Sequence, residues 1–158
     1  MAKDKKRYFM KRTVKLILAM LFLGLGWHSF SLAEGQRYIS IRNTDSVWIQ
    51  GVCSLVFRLD NGGNGEFSNL SVTLQLNDNT GHSLSEGTLN VPSFGDSDAT
   101  RSVDVATEFD CDAVEKASTI AIVGATEMRS NSVVAQLPLS TFDPQYYQPL
   151  RIKVDQSD

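Results

Sequence analysis

Apolar side chains recur at every second position through most of this sequence, and that period admits strands and little else. In Arg37-Tyr38-Ile39-Ser40-Ile41-Arg42 the alternation turns Ile39 and Ile41 inward, and Val47-Trp48-Ile49 opens a second extended run. Beyond Gly51, a candidate bulge, Cys53, Leu55, Phe57 and Leu59 share one face, and Leu70, Val72, Leu74 and Leu76 share another. Asp60-Asn61-Gly62-Gly63-Asn64-Gly65 between these runs has the glycines and asparagines that a hairpin loop requires. Thr88 to Val91 forms a short strand stopped by Pro92, and Val103, Val105, Phe109 and Cys111 point inward along the next. Thr119-Ile120-Ala121-Ile122-Val123 does not alternate and is expected as a central strand buried on both faces. Val133–Leu137 and Leu150–Val154 complete the set, joined by an aromatic, proline-bounded connection containing Phe142, Tyr146 and Tyr147. Only Asp112 to Ala117 has helical character. The expectation is an all-β chain, a sandwich or barrel.

The N-terminus sets the compartment. Seven basic residues between Lys3 and Lys15 precede an apolar run from Leu16 to Trp27, and Ser31-Leu32-Ala33 places small residues before Glu34. This is the pattern of a secretory signal peptide, residues 1–33, cleaved before Glu34. Met10 would serve equally well as its start. The alternative is an uncleaved anchor, but a bilayer-spanning helix needs about 20 apolar residues and this run is shorter. Cleavage leaves residues 34–158 as a single domain of 125 residues with 8 basic and 17 acidic side chains, a net charge of −9. Such a surface repels phosphate backbones and anionic membranes, so no nucleic acid partner and no membrane association of the mature form are expected.

Cys53 and Cys111 are the only cysteines, and both lie in the mature part. In an oxidising compartment an even pair reads as one disulfide, here across the core, with two buried free thiols as the alternative. Antibody-type domains place a tryptophan between their paired cysteines, whereas Trp48 precedes Cys53 and no tryptophan follows. An Ig-like sandwich of fibronectin type III-like form therefore fits better.

The inventory for catalysis is thin. His82 is the sole histidine of the mature chain, in a Gly-His-Ser loop, and no Gly-x-Ser-x-Gly elbow is present. Asp60 to Glu66 superficially resembles a calcium loop, but position 3 is Gly62 and position 12 is Ser71, which lack the side-chain carboxylates that ligation needs. No catalytic residue, metal site or cofactor is expected. Binding is the better prospect, and Trp48, Tyr146 and Tyr147 are the candidate protein-binding residues, because aromatic side chains bury large area at low entropic cost. Each also has a structural reading: the tyrosines can pack under the last strand, and Trp48 belongs either to a second buried face or to the surface.

Taken together, the start Met10-Lys11-Arg12-Thr13-Val14-Lys15-Leu16, the mature beginning Glu34-Gly35-Gln36-Arg37-Tyr38, the cysteine pair and the ending Leu150-Arg151-Ile152-Lys153-Val154 resemble the interleukin receptor mimic protein A (IrmA) family. The resemblance runs the full length and rests on no specific functional motif. It implies a small secreted bacterial protein with a fold like that of cytokine-receptor ectodomains. It further implies a binding module for host interleukins, a homodimer and not an enzyme. Open edge strands give dimerisation by strand exchange a physical basis, with Pro92–Thr100 and Leu139–Pro149 as hinges. A second expectation, from a different class, is a subunit of a surface fibre assembled by a periplasmic chaperone, with Arg37–Arg42 as a donated strand. The polar ending Asp155-Gln156-Ser157-Asp158 counts against it.

Overall fold

The computed structural model describes residues 36–130, 132–145 and 149–155. The expected signal peptide and its cleavage point lie outside the described residues. Nine strands follow in chain order: β1 (Ile39–Ile49), β2 (Val52–Asn61), β3 (Asn69–Asn77), β4 (Ser83–Val91), β5 (Ser102–Phe109), β6 (Thr119–Met128), β7 (Val134–Gln136), β8 (Phe142–Pro144) and β9 (Arg151–Val154). Among the described residues one short α-helix, α1 (Cys111–Lys116), sits between β5 and β6 where the mature sequence shows its helical stretch.

The strands form two sheets, one ordered β5-β2-β1-β8 and the other β4-β3-β6-β7, with β9 also paired to β6. This is a mostly β, two-sheet sandwich, as the alternation predicts. Leu55, Phe57 and Leu59 from β2 meet Leu70, Val72, Leu74 and Leu76 from β3 in a single core, all at most 3% exposed. Ile120, Ala121 and Ile122 are buried in succession along β6, matching the non-alternating run. β6 has β3 on one side, while β9 covers its first half and β7 its second.

Several local features differ from the sequence reading. Val47–Ile49 is not a separate strand: β1 runs through it, with a register shift between Asn43 and Asp45 where it pairs β2. That irregularity reverses the parity of everything after it. Gly51 is not a bulge but the second residue of a two-residue turn, with φ of 51° at Gln50 and 83° at Gly51. Both positive values define the primed turn whose twist matches a hairpin. The Asp60–Gly65 segment is not a hairpin loop, because β2 and β3 lie in different sheets; it crosses from one to the other. Gly63 is required there by close approach, since a Cβ on it would stand 2.2 Å from the Gln36 carbonyl oxygen, and Gly65 by its φ of 94°. Phe142–Pro144 pairs in parallel with Ile39–Ile41 as β8, a strand too short for periodicity to reveal.

The disulfide forms between Cys53 and Cys111, with Cα atoms 5.1 Å apart. It does not cross the core. Cys53 pairs with Phe109 in neighbouring strands of one sheet, and Cys111 opens α1 just beyond. The bridge therefore pins α1 to the start of β2 at the edge of the core.

Candidate partner-binding surface

The hairpin joining β1 to β2 carries three adjoining apolar residues that the core does not use. Trp48 is 67% exposed, Ile49 64% and Val52 42%. Ile49 and Val52 are the last cross-strand pair before the turn, and Trp48 pairs with Cys53. The parity reversal explains the position of Trp48. After the shift, Trp48 falls on the same face as Cys53 and Leu55, but beyond the end of the core. Of the two readings left open by the sequence, the exposed one holds.

Scattered exposed apolar residues are ordinary, whereas a contiguous set calls for explanation. The rest of this sheet's outer face shows what the fold needs there. It is a ladder of charges: Arg42 to Asp60 at 3.1 Å, Arg58 to Asp60 at 3.3 Å and Arg58 to Asp104 at 3.2 Å. Ile49 and Val52 interrupt this polar surface at the tip, Trp48 stands on the opposite face of the same hairpin, and the disulfide next to them limits their motion. A rigid, solvent-exposed indole with two aliphatic neighbours is the composition of a protein-binding anchor.

A second apolar feature occupies the opposite end of the sandwich. Met128, Val133 and Val134 are about half exposed or more. Met128 and Val134 border a groove of about 400 Å³ with Asn69, Ser71, Asn90 and Pro92. Its walls mix amide and hydroxyl groups with aliphatic ones, and no aromatic side chain lines it.

Tyr146 and Tyr147 lie outside the described residues. Both flanks of their segment are tied to β1: Gln145 N–H donates to the Ile41 carbonyl at 2.8 Å, and Leu150 N–H to Asn43 Oδ1 at 2.9 Å. Sequence reasoning singled out Trp48 but missed Ile49 and Val52 as its companions. The two-residue turn after Ile49 was the available signal, since a hairpin tip cannot bury both of its flanking residues.

The polar constellations are structural in arrangement. Thr80 Oγ1 lies 2.7 Å and Asp78 Oδ2 3.8 Å from the same ring nitrogen of His82, Nδ1. A catalytic triad needs nucleophile and carboxylate on opposite ring nitrogens, so this loop does not form one. The Thr80 hydroxyl, foremost, and then the His82 and Thr80 N–H groups hold the Asp78 carboxyl below its ordinary value. In the loop resembling a calcium site, Asn61 is buried and spends its amide on the Gly65 and Gly95 carbonyls at 2.8 and 2.9 Å. Among the described residues no group of three or more His, Cys, Asp or Glu is placed to hold a metal ion.

Among the described residues the one buried carboxylate belongs to Glu127, whose side chain is 3% exposed. It accepts from Arg37 at 2.5 and 3.2 Å, from Ser68 N–H at 3.1 Å and from Arg129 at 3.3 Å. Burial by itself would raise this carboxyl; the bonds from Arg37 and Ser68, the Arg37 charge and Arg129 together bring it below its ordinary value. The Arg37 guanidinium also sits 4.2 Å over the Phe67 ring, which stacks on Phe94. This cluster fastens the N-terminal arm to the end of β6.

With this geometry in hand, the comparisons with known proteins are decisive for ancestry. The family model described as interleukin receptor mimic protein A, IrmA, matches residues 39–145. The chain belongs to the IrmA family. The solved structure of IrmA from Escherichia coli is 50% identical, covering 75% of this chain and 100% of that one with a TM-score of 0.64. No curated protein sequence matches the chain. The IrmA family is named for receptor mimicry and not for an enzymatic activity, in keeping with a sandwich whose polar side chains serve its own loops. The Cys53–Cys111 disulfide of this IrmA family member belongs with an exported protein.

Proposed function

We propose that this protein is a secreted bacterial module that binds host interleukins and modulates immune responses, with no catalytic activity of its own. The observation that carries the reading is the exposed Trp48–Ile49–Val52 tip held beside a disulfide, in a chain of the IrmA family. Residues 1–33 direct export and are removed before Glu34, and the acidic mature domain passes through the periplasm to the exterior. The Tyr146–Tyr147 segment is a further contact region, and the working form is a homodimer, made by strand exchange. No cofactor or metal takes part.

The fibre-subunit reading has less support. Donor-strand assembly requires a sandwich with an unfilled edge that a neighbour's strand completes. Here β7 and β9 fill the edge of β6, and Ile39–Arg42 pairs with β2 within the chain.

Titrating the exported protein against a panel of purified interleukins by calorimetry tests the proposal. Saturable binding of one or more is expected. Absence of binding at high micromolar concentration of every member overturns it.

A further inference from the structure

The apolar tip does not stand alone; its β5 side is acidic. Glu108 lies across from Ser54, which pairs on its other side with Val47, on the outer face that Ile49 and Val52 share; Trp48 is on the opposite face, with Cys53. Asp110, Asp112 and Glu115 follow on the segment that the Cys53–Cys111 bridge holds against the hairpin, and Cys111 Sγ lies 3.3 Å from the Gly51 carbonyl oxygen. Asp45 is exposed on β1 itself. Lys116 is the one basic residue of α1. Arg151 pairs with Thr119, just past α1, and is a second exposed basic residue at this end of the sandwich, on the sheet opposite the hairpin.

Most other basic residues are consumed by ion pairs, Arg37 and Arg129 with Glu127, Arg42 and Arg58 with Asp60, Arg58 also with Asp104, and Arg101 with Asp98, while Lys153 is exposed on β9. None of Glu108, Asp112 and Glu115 is paired with a described basic residue. Part of the domain's excess negative charge is thus displayed at the same end as its most exposed apolar residues.

We infer that the hairpin tip and the acidic flank form one composite surface, and that its occupant is an interleukin face on which basic side chains border an apolar depression. The inference rests on the function proposed above and specifies the chemistry of that partner. The two halves do different work. The hairpin tip, with Ile49 and Val52 on one face and Trp48 on the other, enters the depression and loses water, which governs how slowly the complex dissociates. Glu108, Asp112 and Glu115 act at longer range, steering encounter and rejecting acidic faces, which governs how quickly it forms. Screening over a Debye length of about 8 Å at physiological salt leaves the flank effective against a docked partner but weakens it at a distance.

The test is kinetic, on the full exported protein with whichever interleukins bind in the panel, by surface plasmon resonance at several salt concentrations. The triple variant E108K/D112K/E115K lies wholly on the surface and retains the fold, checked by circular dichroism. It is expected to lower the association rate by about 10-fold or more, a size typical of electrostatic steering, while changing dissociation by less than about threefold. Raising salt should lower the native association rate and leave the variant's nearly flat. Trp48→Ala is expected to do the opposite, accelerating dissociation with association nearly unchanged. Binding that is lost in Trp48→Ala yet indifferent to salt and to charge reversal overturns this inference and leaves interleukin binding standing. Absence of binding to every interleukin overturns both.

Discussion

Trp48 stands directly across from Cys53 in the β1–β2 ladder, so the most exposed large apolar side chain among the described residues is one cross-strand step from the disulfide. The pairing puts a recognition residue where the backbone is least free to move. A two-residue turn closes the hairpin on one side of Trp48, and the bridge to Cys111 holds the other strand. An aromatic anchor gains from such fixation because ordering it on binding then costs little.

Removing the bridge by C53A/C111A should therefore do two things. The bridge spans 58 residues of sequence, and chain-entropy reasoning values such a loop at roughly 4 kcal/mol. Denaturant unfolding should show most of that loss. Hydrogen exchange should in addition show faster amide exchange at residues 47–53 and along α1 than in β3 or β6. A uniform loss of protection across both sheets would mean that the bridge supports the core as a whole.

Trp48→Ala and Phe57→Ala should separate surface from core. Phe57 is fully buried between the sheets, and truncating a core phenylalanine costs about 3–5 kcal/mol. Trp48 adds little to the core, so its truncation should shift the unfolding free energy by only about 0.5 kcal/mol. A shift in the unfolding midpoint for Trp48→Ala approaching that of Phe57→Ala would reassign Trp48 to packing.

The Glu127 cluster predicts a sensitivity to acid. Its carboxyl is held below its ordinary value in the folded state, so the unfolded chain takes up the proton first as pH falls. The stabilisation is complete above the ordinary glutamate value of about 4.3. It drains away as pH drops below that toward the lowered folded value. Glu127→Gln removes the charge that Arg37 and Arg129 bond to, and should cost about 1.5–3 kcal/mol at neutral pH. The loss relative to native should shrink as pH falls below about 4. Urea midpoints measured from pH 7 to pH 3 check both points; a constant gap across that range would refute the linkage.

How much of this was written in the sequence depends on the range of the interaction. Inward positions such as Leu55, Phe57, Leu70 and Val72 were legible because a strand's period of two is local and burial follows from it. The helical stretch after Asp110 was legible too: Asp110 accepts from Asp112 N–H at 2.8 Å as a cap. The parity of Trp48 was not, because it depends on an irregularity between Asn43 and Asp45 that exists only against β2. β8 and the crossing at Asp60–Gly65 were hidden for the same reason, since which sheet a strand joins is decided by partners far away in sequence. The acidic flank was visible only as scattered residues; the disulfide, linking β2 to the start of α1, is what holds Asp112 and Glu115 at the hairpin's end of the sandwich.

The glycines give the sharpest test of the crossing between sheets. Gly63 is tightly enclosed by the N-terminal arm: an added Cβ would meet the Gln36 carbonyl oxygen at 2.2 Å, the Tyr38 nitrogen at 3.0 Å and the Arg37 Cα at 3.1 Å. All three are backbone atoms, so no rotamer change relieves the clash. Gly63→Ala must displace the arm and should cost about 1–3 kcal/mol, the range for inserting a methyl group into filled space. Gly124 in β6 is the control, because its added Cβ would meet only the Thr73 side chain, at 3.8 Å. Gly124→Ala should be neutral or stabilise by up to about 1 kcal/mol through the reduced freedom of the unfolded chain. Thermal midpoints of the two variants are expected to move apart, with Gly63→Ala lower. Because Arg37 bonds Glu127 from that same arm, Gly63→Ala should also blunt the acid sensitivity predicted for Glu127. Equal midpoints would show that the arm is not held where Gly63 permits it to lie.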